Sequence, residues 1–93
     1  MDLGMIQKVR PALILNRPFK DADRALISVI PHTTALRGSD LEIPVHVPFL
    51  QPGAFLAQNP ITISAAKAER YLGRLTTQQL AIIEAGVRNW LGL

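Results

Sequence analysis

The sequence predicts a mainly β domain with a C-terminal helix: a small, partly open antiparallel barrel with the helix packed on it. Short apolar runs recur at close spacing through the first two-thirds of the chain. Clusters of proline, glycine, asparagine and aspartate separate them. After Thr76 the apolar spacing changes from that of strands to that of a helix.

Taken in order, the run ahead of Arg10 is too short to predict a convincing strand. A barrel that starts at Ala12 leaves an edge that something must cover. Ala12-Leu13-Ile14-Leu15 is the first strand, and Pro11 is tolerated at its start because its missing N–H can face outward. Residues 16–23 are rich in turn formers and read as a loop. Arg24–Ile30 is a near-continuous apolar strand, the central one, and His32–Ser39 is the loop after it. From Leu41 to Val47 apolar and polar residues alternate, with Leu41, Ile43, Val45 and Val47 on the buried face. Pro44 puts that strand at an edge or bulge. Gln51-Pro52-Gly53 is a turn, and Ala54–Ala57 and Ile61–Ile63 are two further short strands. Ser64–Tyr71 is expected to form a short helix stopped by Gly73. Thr76 and Gln79 have the spacing of a capping box. Leu80, Ile83, Val87 and Trp90 or Leu91 follow at helical spacing, and Gly92 ends the helix.

The 93 residues fit one small domain spanning 1–93, and at 48% hydrophobic they can build a core. Without cysteine there is no disulfide and no thiolate metal site, and a cytoplasmic location is the simplest expectation. No apolar run approaches the ~20 residues that span a bilayer. The N-terminus has no apolar core of a signal peptide. A net charge of +3 is unevenly spread: Lys8, Arg10, Arg17, Lys20 and Arg24 fall in the first quarter, which suits a polyanion or an acidic protein partner.

No phosphate-binding glycine loop, zinc pattern or nucleophile elbow is present. Two histidines offer acid–base chemistry near neutral pH. His46 falls on the polar face of its strand and reads as a surface residue. His32 adjoins Thr33 and Thr34 where the central strand ends. Arg10 stands at the mouth of the first strand. If those two strands are neighbours, the Arg10 guanidinium and the Thr33 hydroxyl meet at one edge and make a place for an oxyanion.

KVRPALIL, DADRALISVIPHTTALRGS, PFLQPGAFLAQNPITI and RYLGRLTTQQLAIIEAGVRNWLGL, in that order, resemble the MazF/PemK family of toxins from type II toxin–antitoxin modules. The resemblance runs from about Asp2 to Leu93, and its most specific pieces are the Arg-Pro-Ala ahead of one strand and the Pro-x-Thr-Thr after the next. It implies an SH3-like barrel with a C-terminal helix and a metal-independent endoribonuclease that needs no cofactor. It further implies that single-stranded messenger RNA is the substrate, cleaved by attack of the 2′-hydroxyl on the adjacent phosphate. The family's catalytic arginine matches Arg10 and its catalytic threonine matches Thr33; His32 is a local candidate for proton transfer. Arg17, Lys20, Arg24, Thr34, Arg37 and Gln58 are expected to contact RNA. The implied partners are a second copy, as a homodimer, and an acidic antitoxin, with no membrane.

Family members usually begin with a Gly-Asp-hydrophobic strand ahead of Asp-Leu-Gly. Here that strand is expected to be missing, leaving the barrel incomplete, rearranged or completed by another chain. Two alternatives stay open: an inactive module of this fold that sequesters antitoxin, and a gyrase-targeting toxin like CcdB. The Arg10–Thr33 pair speaks against the second.

Overall fold

A computed structural model describes residues 4–7, 10–68 and 70–93. In chain order they form β1 (Gly4–Gln7), β2 (Pro11–Ile14), β3 (Leu26–Thr33), β4 (Glu42–Ile43), β5 (Ala54–Leu56), β6 (Ile61–Ser64), a 3₁₀ turn (Ala65–Lys67), β7 (Arg70–Arg74) and α1 (Thr77–Leu91). The strands are ordered β4-β5-β3-β2-β1-β7, with β6 also on β3, and every pairing is antiparallel. Among the described residues β4 and β7 do not pair with each other, so the barrel is open.

β3 is the central strand, as its apolar run predicts. Leu26–Val29 pair with β6, His32 and Thr33 pair with β5, and its other edge carries β2 in the register Ala12↔Pro31, Leu13↔Ile30, Ile14↔Val29. Alternate residues of β2 serve two cores, because successive side chains point to opposite faces. Leu13 and Ile30 join Val47, Phe55, Leu75, Leu80 and Ile83 beneath α1. Ala12, Ile14, Ile27 and Val29 form the second core, against Ile63, Ala65 and Ala68. Burial on both faces explains why the sequence of β2 and β3 is apolar without alternation.

Several sequence expectations are corrected. Gly4–Gln7 is a strand, and it covers the β2 edge that an Ala12 start would have left bare. Met1–Leu3, where the missing family strand would join, lie outside the described residues, as do Lys8 and Val9. Among the described residues of the helix expected over 64–71, only Ala65–Lys67 turn, as a single 3₁₀ turn. Arg70–Arg74 is instead a strand on the other edge of β1, with a register shift between Met5 and Ile6. A free sheet edge offers those residues a full ladder of backbone hydrogen bonds, which outweighs the weak helical preference of a short segment. His32 and Thr33 belong to the strand rather than to the loop. Only Glu42 and Ile43 form the strand expected over 41–47, but the predicted alternation survives: Ile43, Val45 and Val47 pack against the main core while Pro44 and His46 are exposed.

α1 begins as its sequence predicts. Thr76 Oγ1 accepts from the Gln79 N–H and Gln79 Oε1 accepts from the Thr76 N–H, closing the capping box. Gly92 ends the helix in the left-handed conformation, φ 73°. Leu80, Ile83 and Gly86 are buried, but Trp90 and Leu91 leave the core.

Candidate functional site

Continuing the β2–β3 register past Pro11 sets Arg10 opposite Thr33, so the strand pairing itself brings the guanidinium and the hydroxyl to one end of the hairpin. Both residues line two adjoining cavities, of about 640 and 490 Å³. Arg37, Gln58, Asn59 and Trp90 extend the larger one. His32, Thr34, Phe49, Gln51 and Arg70 extend the smaller one. Arg10 and Thr33 therefore stand on the ridge between them.

Thr33 is nearly buried and its hydroxyl is oriented. Its Oγ1 accepts a 3.0 Å hydrogen bond from the Ala35 N–H, which leaves the hydroxyl proton to donate elsewhere. His32 is 5% exposed, and its ring meets Phe55 edge-on at 4.9 Å between centroids. Burial lowers its pKa below the usual 6.5, so the imidazole is neutral at pH 7. Close against this strand end lies Gly53: a Cβ there would overlap the Thr33 carbonyl oxygen and stand 2.9 Å from His32 Cε1.

The loop after β3 is held by Glu42. Its carboxylate accepts from the N–H groups of Arg37 (2.9 and 3.0 Å), Gly38 (2.8 Å) and Ser39 (3.0 Å), three successive donors that Gly38 at φ 86° helps to converge. These bonds, the one from Arg37 foremost, hold the Glu42 pKa below its ordinary value. They also fix the backbone from which Arg37 reaches the larger cavity.

Not every expected residue gathers here. Arg17, Lys20 and Arg24 lie on the loop at the far end of the β2–β3 hairpin and line neither cavity. Arg17 donates instead to Asp23 at 3.2 Å and to the Pro18 carbonyl at 2.8 Å. Asn16 Oδ1 accepts from the Ser28 N–H, which ties the loop to β3. His46 is exposed and gives only its carbonyl, to Gln79 Nε2. The sequence carries no site signal at Arg70, Asn59, Trp90, Glu42 or Gly53. Arg70 falls in an expected helix and Trp90 in a helical stripe that reads as core, so neither stands out by its own spacing. Among the described residues, no group of three or more His, Cys, Asp and Glu could hold a metal ion. No described helix is long and apolar enough to cross a membrane.

A sequence model described as PemK-like, MazF-like toxin of type II toxin–antitoxin system matches residues 3–91. No curated protein matches. Among solved structures, the chain is 30% identical to the toxin MazF-mt6 of Mycobacterium tuberculosis, covering 100% of this chain and 98% of that one, at a TM-score of 0.80. It is 19% identical to a mycobacterial endoribonuclease solved in complex with its cognate antitoxin, covering 100% and 95% of the two chains, at a TM-score of 0.85. It is also 19% identical to a MazE–MazF structure from Deinococcus radiodurans, covering 98% and 94%, at a TM-score of 0.83. At such identity the last two speak for the fold alone.

Proposed function

The chain belongs to the PemK-like, MazF-like toxins of type II toxin–antitoxin systems, and from that premise we propose that it is an endoribonuclease cutting single-stranded RNA on the ridge between its two cavities. The observation that carries this reading is the β2–β3 register, which sets Arg10 opposite Thr33 at the shared wall.

The chemistry follows from those groups. A ribose 2′-oxygen attacks the adjacent phosphorus and loses its proton to a base. The new P–O2′ bond forms as the P–O5′ bond breaks, giving a 2′,3′-cyclic phosphate and a 5′-hydroxyl once the leaving oxygen takes up a proton. The Arg10 guanidinium stabilises the charge gathering on the non-bridging oxygens and hydrogen-bonds the leaving oxygen, which takes its proton from water. Thr33, with one lone pair held by Ala35, donates its hydroxyl proton to the phosphate. Neutral His32 is the group in the smaller cavity able to accept the 2′-hydroxyl proton. No step calls for a metal. An acidic antitoxin and a second copy of the chain are the expected partners, in keeping with the antitoxin complexes among the structural neighbours.

Incubation of the purified protein with a long single-stranded RNA in EDTA tests this, beside Arg10→Ala and Thr33→Ala. Cuts ending in 5′-hydroxyl and falling about 10²–10³-fold in each variant are expected for loss of a preorganised donor. A folded protein that cuts no RNA would shift the reading to a binding module that sequesters antitoxin.

A further inference from the structure

Among the described residues the two cavities share Arg10, Thr33 and Ala35. A phosphate held on that wall sends the nucleotide on one side into the larger cavity and the nucleotide on the other side into the smaller. Each cavity offers one partly exposed aromatic ring, Trp90 at 45% and Phe49 at 41%. Neither ring is spent on the core. The helical stripe of α1 buries Leu80 and Ile83, then turns outward at its last turn, so that Trp90 faces the cavity instead. Phe49 rests its ring edge on bare backbone: a Cβ at Gly73, where φ is 153°, would stand 2.6 Å from Phe49 Cε1. A ring fixed along one edge and open to a cavity is a platform. Carboxamides line the same cavities, Gln58 and Asn59 the one that holds Trp90, and Gln51 the one that holds Phe49. Carboxamides carry the donor–acceptor pairs that base edges need. Arg37 on one side and Arg70 on the other supply positive charge for the flanking phosphates.

We infer that Trp90 and Phe49 are base-stacking platforms, one on each side of the scissile phosphate, so that the two nucleotides flanking the cut are held in separate cavities. This rests on the ribonuclease reading. Stacking on aromatic side chains is the common way to hold an unpaired base, because every base has a π-face.

Trp90 is the sole tryptophan of the chain, so its fluorescence reports on the larger cavity in the unaltered protein. The probe is a randomised 2′-O-methyl RNA decamer, which binds but cannot be cut because its 2′-oxygens are blocked. Binding is followed independently by anisotropy of a fluorescein-labelled copy. Saturable quenching of Trp90 that tracks the anisotropy curve is expected. Trp90→Leu and Phe49→Leu should each weaken binding about 5- to 160-fold, as loss of one stacked base does, with far-UV circular dichroism unchanged. Cleavage of a random RNA library by Trp90→Leu should show relaxed base preference on one side of the cut, and by Phe49→Leu on the other. Binding by anisotropy without quenching overturns the stacking assignment and leaves the ribonuclease reading intact. Absence of binding overturns both. An emission maximum that moves on protein dilution but not with oligonucleotide would put a second copy over Trp90, and also overturns the assignment.

Discussion

Gly53 shows how a residue without a side chain can govern the site. Its bare Cα lets the segment before β5 lie directly on the Thr33 carbonyl and the His32 ring. Gly53→Ala should cost about 1–3 kcal/mol, as overpacking does, and should also displace Thr33. The expected outcome is cleavage falling by more than the lost fraction of folded protein, measured by kcat/KM beside thermal melting. His32 makes a pH prediction. Its folded pKa is depressed by burial, so as pH falls the unfolded chain takes up the proton first. Stability is therefore full above the usual 6.5 and declines as pH drops below it, levelling once the folded imidazole is also charged. Melting temperature against pH should slope in that window for the native chain and flatten in His32→Asn. If His32 accepts the 2′-hydroxyl proton, kcat/KM falls along its acid limb with an inflection below 6.5.

The loop 35–40 behaves as an element organised by one carboxylate from the strand that follows it. Glu42→Gln keeps the shape but weakens an acceptor that now meets three backbone donors, one of them with both oxygens. The loop should loosen and Arg37 lose its fixed origin, seen as faster amide exchange at Arg37, Gly38 and Ser39 and a higher KM. Because the folded Glu42 pKa is lowered, acid should have the same effect: the anchoring is present above the ordinary carboxylate pKa and is lost as pH falls through the folded value. The α1 capping box is a contrasting element, remote in function. Thr76→Ala should cost about 1 kcal/mol of stability and leave cleavage per folded molecule unchanged.

Across the whole molecule, the net charge of +3 matters less than its placement. Arg10, Arg37 and Arg70 surround the cavities, whereas Arg17, Lys20 and Arg24 ride on the opposite end of the hairpin. RNA affinity should fall with salt, and Arg37→Ala should reduce the log–log slope by about 0.7, the value for one single-strand phosphate contact. Arg17→Ala and Lys20→Ala should leave that slope unchanged. Titrations of the decamer at several ionic strengths measure both.

By itself the sequence determined the two central strands, the capped helix and the family, since each was written in local spacing: unbroken apolar runs, a Thr–Gln cap, a terminal glycine, and an Arg-Pro and a Thr-Thr at strand ends. It also named Arg10 and Thr33 as partners on condition that their strands pair. Only the tertiary structure supplied that condition, because register is fixed by hydrogen bonds between segments distant in sequence. Long-range pairing likewise made Gly4–Gln7 and Arg70–Arg74 into strands: neither run is apolar or long enough to declare itself, and each forms on an edge offered by another. Trp90, Phe49 and Gly53 were invisible as site residues for the same reason. A helix-stripe aromatic, a loop aromatic and a turn glycine look alike in any small domain until the fold sets two rings beside the Arg10–Thr33 wall and leaves one Cα with no room for a side chain.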